Sequence, residues 1–112
     1  MRSPLIKHES TILRIGDLEI NRQEQRATRA GKRIDLTPRE FRLLEYLAAN
    51  AGKVMSRAMI TENVWDQSFQ GLTNLVDVYV RHLRNKVDDQ NSEKLIRNVR
   101  GVGYSISDQE EP

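Results

Sequence analysis

The hydrophobic pattern of this 112-residue chain changes its period at Thr37, and that change constrains the fold more than any other feature. Upstream, residues 11–36 alternate in short runs (TILRI, LEINR, QRATR and RIDL), with turn signals at 16–17 and 30–32. Period-two runs separated by glycine turns are typical of a small antiparallel meander. Downstream of Thr37 the apolar residues recur at helical spacing. We therefore expect a small sheet followed by helices.

Two helices are predicted directly after the change of period. The segment TPREFRLLEYLAAN begins with Thr37 as N-cap, Pro38 at the first helical position and Glu40 three residues after the cap, which is a capping box. This helix is expected to end at Asn50. Its core face consists of Phe41, Leu44, Leu47 and Ala48. A shorter helix is expected to start at Ser56 and to run through RAMITENVW, before a polar loop, DQSFQGLT.

A third helix, residues 74–88, combines a narrow apolar stripe with an unusual outer face. The stripe consists of Val76, Val80, Leu83 and Val87. A rotation of about 100° per residue places arginine, asparagine, histidine and apolar side chains on the opposite side and its flanks. These residues are Asn74, Leu75, Val78, Tyr79, Arg81, His82, Arg84 and Asn85. Asp77, near one edge, is the one carboxylate of this face, whereas a solvated helix face usually mixes Glu with Lys.

Such a face is suited to reading base edges in the major groove of DNA. Arginine pairs with guanine, asparagine with adenine, and an apolar side chain with the thymine methyl group. The alternative is a solvated surface, which is the commoner role of a basic, amide-rich helix face. Val78 and Tyr79 favour a partner, because exposed apolar groups are better buried. The two preceding helices and the following hairpin also favour the DNA interpretation.

The closing segment IRNVRGVGYSI, residues 96–106, is predicted to form a β-hairpin with RGVG at its turn. Its glycines most simply supply positive φ angles. A phosphate-binding loop is a weaker interpretation, because a dinucleotide fingerprint would need a third glycine at Ile106 and a following helix, and a P-loop would need Gly-Lys-Ser/Thr. We expect Arg100, near the hairpin tip, to point at a phosphate or at an A·T-rich minor groove.

Composition limits the remaining possibilities. The net charge is +2, so the placement of charges rather than their sum must indicate nucleic acid. The absence of cysteine excludes disulfides and Cys-based zinc sites and fits a reducing cytoplasm. No stretch is apolar enough to suggest a membrane span. We expect one cytoplasmic domain at 11–107, a tether at 1–10 and an acidic frayed tail at 108–112.

Catalysis, metal binding and a cofactor are not expected. The two histidines, His8 and His82, lie in the tether and on the outer helix face. The segment DDQNSE, residues 88–93, lacks the glycine of a calcium loop and is interpreted as an acidic turn. Ser56 lacks a nucleophile-elbow pattern and is interpreted as an N-cap. His82 could gain a proton near phosphates, although a neutral histidine that bonds a base or water is the favoured alternative.

Three motifs in the same order, LTPREFRLLEYLAAN, VDVYVRHLRNKVDD and IRNVRGVGY, resemble the effector domain of OmpR/PhoB-type response regulators over residues 12–107. The resemblance implies an α+β winged helix-turn-helix, with an N-terminal four-stranded antiparallel sheet, three helices and a C-terminal hairpin. Residues 74–88 would be the recognition helix and residues 95–107 the wing. The segments VWD, TN and VRGVGY are most similar to the heavy-metal-responsive branch of the family.

The resemblance also implies roles for individual residues. Base-facing positions match Leu75, Val78, Tyr79 and His82; phosphate or base contacts match Arg81 and Arg84; the wing arginine matches Arg100. The remaining DNA-binding candidates are Asn74, Asn85 and Asn98. Two departures weaken the match, because many members have arginine where His82 stands and threonine where Asn98 stands. His82 lacks the permanent charge and the bidentate fork with which arginine reads guanine, whereas Asn98 can still bond a phosphate.

The partners implied by the resemblance are double-stranded DNA, bound in tandem on direct repeats, RNA polymerase, and a receiver domain with its sensor kinase in the full-length protein. Polymerase would contact the loop at 66–73, where the candidates are Gln67, Phe69, Gln70 and Leu72. The competing hypothesis is a winged helix that binds protein. Salt dependence distinguishes the two, because DNA binding weakens steeply as salt rises.

Overall fold

The first four strands pair in chain order as an antiparallel meander, as predicted. The computed structural model describes residues 11–65, 73–88 and 93–108. The elements are β1 (Ile12–Ile15), β2 (Leu18–Asn21), β3 (Arg26–Arg29), β4 (Lys32–Ile34), α1 (Pro38–Ala49), β5 (Met55–Ser56), α2 (Arg57–Val64), α3 (Thr73–Val87), β6 (Ile96–Val99) and β7 (Gly103–Ile106). The α+β class, the three helices and the closing hairpin are confirmed.

Turn chemistry sets the register of the meander. Ile15 pairs with Leu18 around a two-residue turn in which Gly16 has a φ of +59°. The side chains of Ile15, Leu18 and Ile20 are buried beneath the sheet, where they join the apolar face of α1 in one core. The sheet thus packs against α1, and its buried side chains belong to the same core as the helices.

The predicted caps hold the first two helices. In α1, Thr37 Oγ1 accepts a hydrogen bond from Glu40 N (3.2 Å), and Glu40 Oε1 accepts one from Thr37 N (3.0 Å), which completes the capping box. In α2, Ser56 Oγ accepts from Met59 N (3.1 Å). Each bond satisfies a backbone donor that the first turn of a helix cannot satisfy itself. The C-cap of α1 is Asn50, as expected.

The closing hairpin belongs to a sheet of three strands, in the order β5-β7-β6. The sequence predicted two strands and a role for Ser56 as N-cap alone, so the third strand corrects that expectation. β5 pairs Met55 with Tyr104 and Ser56 with Gly103. Two residues are too few for a period-two pattern, so nothing local marked this strand. A Cβ built on Gly103 would lie 2.0 Å from Met55 O, and this glycine therefore serves close packing within the protein.

α3 begins and ends one residue earlier than predicted, at Thr73 and Val87 instead of 74 and 88. All four residues of its predicted apolar stripe are buried. None of the helices in the described ranges has the length and apolar character that a membrane span requires. Asp108, where the predicted tail begins, accepts a hydrogen bond from Gly16 N (3.2 Å). The predicted tether at 1–10 and the rest of the tail, 109–112, lie outside the described residues.

Candidate nucleic-acid interface

The outer face of α3 presents the polar residues that the sequence placed there. Asn74, Arg81, His82 and Asn85 are exposed, and Val78 is half-buried. Their exposure follows from the stripe on the opposite side, because burying Val76, Val80, Leu83 and Val87 turns this face outward. The face therefore offers arginine, asparagine and histidine side chains, with a methyl-bearing side chain among them, along about three turns of helix.

Tyr79 and Leu75 lie deeper than the sequence suggested. Both are partly buried and pack against the core. The ring of Tyr79 stands edge-on to the indole of Trp65, with 5.1 Å between centroids and an interplanar angle of 81°. The guanidinium of Arg39 lies 5.5 Å from the same indole, and its Nη1 donates to Val64 O (2.7 Å). The sequence analysis did not predict that Trp65 supports α3, although a tryptophan at the end of a helix was a signal for such a ring contact.

A groove of about 470 Å³ runs between α3 and the wing, which comprises β6, β7 and the turn at 100–102. We call it the α3–wing groove. Its lining includes Arg81, Arg84 and Asn85 from α3, together with Lys94, Asn98 and Tyr104. Arg84 is half-buried at this position, whereas Asn98 is exposed. The structure thus brings the predicted residues of the helix and one of the wing to opposite sides of a single cationic groove.

Asp77, the carboxylate that seemed out of place on a DNA-reading face, is engaged within the protein. Its Oδ1 accepts a hydrogen bond from Arg57 Nε (2.8 Å) and a short one from the hydroxyl of Tyr104. Burial by itself would raise the pKa of Asp77, but the hydrogen bonds from Tyr104 and Arg57 outweigh it and hold this pKa below its ordinary value. Burial, and then the Asp77 carboxylate, raises the pKa of Tyr104.

The same contacts tie three elements together. Asp77 lies in α3, Tyr104 in β7 and Arg57 at the start of α2, and the Arg57 guanidinium lies 5.5 Å from the centre of the Tyr104 ring. Near neutral pH the carboxylate is charged and the phenol protonated, so the acceptor and its donors are in their bonding forms. The negative charge of α3 is therefore compensated before any phosphate approaches.

The wing turn carries the predicted arginine outward. Val102 N donates to Val99 O (2.9 Å), and Gly101 has a φ of +77°, as the glycine pattern predicted. Arg100 is exposed in this turn, and the side chain of Val102 is 52% exposed beside it. An exposed cation and an apolar side chain at a hairpin tip can enter a groove of a duplex together.

One buried ion pair was missed by the sequence analysis. Arg29, at the end of β3, and Asp88, directly after α3, are each 3% exposed, and Nη1 of Arg29 lies 2.9 Å from Oδ1 of Asp88. From the sequence, Arg29 was expected in a strand and Asp88 in an acidic turn. Asp88 does occupy a turn, but its side chain is inside the protein. No local pattern identifies such a pair, because the two residues are 59 positions apart.

The polymerase-contact candidates, Gln67, Phe69, Gln70 and Leu72, lie outside the described residues. Over the ranges that the structure covers, no three histidine, aspartate or glutamate side chains come together as metal ligands.

The chain is similar to known transcriptional regulatory proteins. Residues 31–106 match the family model described as "Transcriptional regulatory protein, C terminal". The chain is 48% identical over 98 residues to the transcriptional activator protein IrlR of Burkholderia pseudomallei, a match that covers 88% of this chain and 43% of IrlR. It is 44% identical over 92 residues to the transcriptional regulatory protein CusR of Escherichia coli, covering 82% and 40%. The chain thus spans less than half the length of these relatives.

Among solved structures, the chain is similar to the Klebsiella pneumoniae RstA DNA-binding domain in complex with the RstA box. The TM-score is 0.77 at 28% identity, and the match covers 88% of this chain and 98% of that one.

Proposed function

Since the chain belongs to the family of C-terminal effector domains of transcriptional regulatory proteins, the OmpR/PhoB type, we propose that it binds double-stranded DNA sequence-specifically and thereby controls transcription. The resemblance noted in the sequence is confirmed at the level of the family. The similarity to CusR is in keeping with the heavy-metal-responsive branch. The proposed activity is binding alone, with no reaction at the site.

One observation carries the proposal: both carboxylates that line the α3–wing groove are engaged with arginines inside the protein, while Arg81 on its rim is exposed. Asp77 pairs with Arg57, and Asp88 pairs with Arg29. A groove with compensated carboxylates and available guanidinium groups attracts phosphates, because the neutralisation of DNA charge releases counterions. A solvated helix face would not require this arrangement.

In the proposed complex α3 enters the major groove, where Asn74, Val78, Arg81, His82 and Asn85 face base edges. Arg84 and Asn98, on the two sides of the α3–wing groove, hold the phosphate backbone that runs between helix and wing, which fixes the register. Arg100 reaches the adjacent minor groove. Leu75 and Tyr79 support this face from the core side, and Tyr79 offers a base contact with the part of its ring that remains accessible.

The finer aspects of the function concern a longer protein. A receiver domain with a sensor kinase, RNA polymerase contact through residues 66–73 and tandem binding on direct repeats are proposed from the family. In this arrangement phosphorylation acts on the receiver domain, and the described domain holds the operator.

The test is a selection of random duplex DNA on the domain, followed by a salt titration of the selected site. We expect a repeated motif spaced by about one helical turn and a log–log slope of about −0.9 for each phosphate neutralised. Arg84→Gln should weaken binding strongly without changing the melting temperature. Arg26→Gln is the matched control, because Arg26 is an exposed arginine on β3 in the N-terminal sheet. No enrichment together with a flat salt response would favour the protein-binding winged helix instead.

A further inference from the structure

Arg29 donates hydrogen bonds to three separate parts of the protein, although it belongs to the N-terminal sheet. Its Nε bonds Asp17 in the β1–β2 turn (2.5 Å). Its Nη1 bonds the backbone oxygen of Val87, at the end of α3 (2.8 Å), and the carboxylate of Asp88 (2.9 Å). Its Nη2 bonds the backbone oxygen of Glu93, three residues before β6 (2.5 Å). One guanidinium therefore holds the end of the recognition helix and the approach to the wing at the same time.

Asp88 continues this connection into the wing. Its Oδ1 accepts from Leu95 N and its Oδ2 from Ile96 N, each at 3.1 Å, and Ile96 is the first residue of β6. A carboxylate with two backbone donors on one side and a guanidinium on the other has little freedom to move. The direction in which β6 leaves the core is thus set by the same pair that ends α3.

We propose that Arg29 is a positioning residue for DNA recognition: it sets the angle and distance between α3 in the major groove and Arg100 in the minor groove. The proposal rests on the proposed function and extends it to a residue that would not touch DNA. Arg100 lies four residues after Ile96, about 13 Å along the strand, so a small rotation at Ile96 moves the wing tip by a larger distance.

The geometry requires arginine. Only a planar fork with several N–H groups can bond Asp17, the carbonyl of Val87 and the carbonyl of Glu93 in one arrangement, whereas lysine offers one nitrogen. Arg29→Lys therefore keeps the charge opposite Asp88 but loses the simultaneous hold on helix and wing. That substitution therefore tests the positioning of helix and wing separately from the ion pair with Asp88.

The test is a double-mutant cycle on DNA affinity between Arg29→Lys and Arg100→Ala, at fixed salt and with the selected operator. Residues this far apart are expected to act additively unless the structure couples them. We expect Arg100→Ala to weaken binding roughly tenfold in the wild-type background and less than about threefold in the Arg29→Lys background. If the wing is no longer held in register, Arg100 contributes less to the binding affinity, so its removal has a smaller effect.

If Arg29 only stabilised the fold, the double-mutant cycle would give a different result. Partial unfolding would lower every affinity by one common factor and leave the Arg100→Ala ratio unchanged, and this additive outcome overturns the proposal. Arg26→Lys, in the same strand, is the matched control and should be additive with Arg100→Ala. Circular dichroism at the assay temperature establishes that each variant is folded.

If Arg29→Lys does not fold, Asp17→Asn replaces it, because Asp17 is a half-exposed partner of the same guanidinium. A smaller deviation from additivity in the same direction supports the proposal, and strict additivity overturns it. Failure of the wild-type domain to select any DNA sequence would instead overturn the proposed function. A wild-type domain that selects a site but shows additive cycles would overturn the positioning role alone.

Discussion

The hydroxyl group of Tyr104, in the second strand of the wing, donates a hydrogen bond to the carboxylate of Asp77, in the recognition helix. The same oxygen of Asp77 accepts from Arg57 Nε at 2.8 Å. The wing and the helix that should enter neighbouring grooves of DNA are therefore joined through one carboxylate, close to the surface that faces the duplex. This junction and the Arg29–Asp88 pair hold the wing at two places.

Tyr104→Phe should destabilise the domain by about 1–3 kcal/mol, because it removes a hydrogen bond to a charged acceptor and leaves the pair with Arg57 in place. Urea unfolding measures the loss as a lower midpoint at unchanged slope. Tyr46→Phe is the control, because the Tyr46 hydroxyl accepts a long hydrogen bond (3.3 Å) from the neutral amide of Asn63, and it should cost about 0.5 kcal/mol. Equal losses in both variants would contradict the special role of the Asp77 contact.

Gly103→Ala should cost about 3 kcal/mol or more, because its Cβ would overlap the backbone of β5, where it would lie 2.0 Å from Met55 O. Gly101→Ala is the comparison. Gly101 has a φ of +77° but open space around a Cβ, so the change should cost only the strain of a left-handed residue, about 1–2 kcal/mol. The measurement is the free energy of unfolding of each variant. If Gly103→Ala costs no more than Gly101→Ala, β5 does not approach β7 this closely.

Acid should destabilise the domain through Glu40 and Asp77. Burial raises the pKa of Glu40, but hydrogen bonds from Lys86 and Thr37 outweigh it, and the pKa values of both carboxyls lie below the ordinary 4.5 and 3.8. The unfolded chain therefore binds more protons, so this stability is fully present above the unfolded values and is lost as the pH falls through the folded ones. The measurement is the free energy of unfolding between about pH 3 and pH 7.

Glu40→Gln provides the matched variant for the acid experiment. Glutamine preserves the capping box with Thr37, since Gln is also found at this position of the motif, but it cannot titrate and loses the charge opposite Lys86. We expect a smaller loss of stability on acidification than in the wild-type protein. A variant whose pH dependence is the same as that of the wild type would show that Glu40 does not contribute.

Arg100→Ala should weaken DNA binding by about 1–3 kcal/mol, with most of the loss on A·T-rich flanks, because a narrow minor groove attracts arginine. The experiment compares the affinities of the variant for operators that differ only in their flanking sequence. Val102→Ala, in the same turn, tests whether the wing tip is sensitive to any substitution, and a small effect is expected. An equal loss on every flank would leave Arg100 only a phosphate contact.

Features that depend on neighbours along the chain could be predicted from the sequence. The capping box of α1, the N-cap Ser56 and the buried stripe of α3 involve residues within a few positions of each other, and all three are present. The meander and the hairpin follow from alternation and glycine turns in the same way. The outward direction of Arg81, His82 and Asn85 needed only the helical period and a stripe to bury.

Features that join distant positions could not be predicted in this way. No periodic pattern in the sequence indicates these contacts. They are the ion pair of Arg29 with Asp88, the strand pairing of Met55 with Tyr104, and the ring contact between Trp65 and Tyr79. The last of these also changed the expectation for Tyr79, whose ring is partly buried and packs edge-on against Trp65. Asp77 looked unsuited to a DNA-binding face until its partners were known.

Apart from β5, the sequence by itself determined the elements, their order and the face that each helix turns outward, because hydrophobic period, caps and turn residues act over one or two turns of chain. Only the tertiary structure decided how the recognition helix and the wing are held relative to each other. That arrangement depends on the half-buried carboxylate of Asp77 and the buried pair of Arg29 with Asp88, whose partners lie 20 to 59 positions away and have to fold against them.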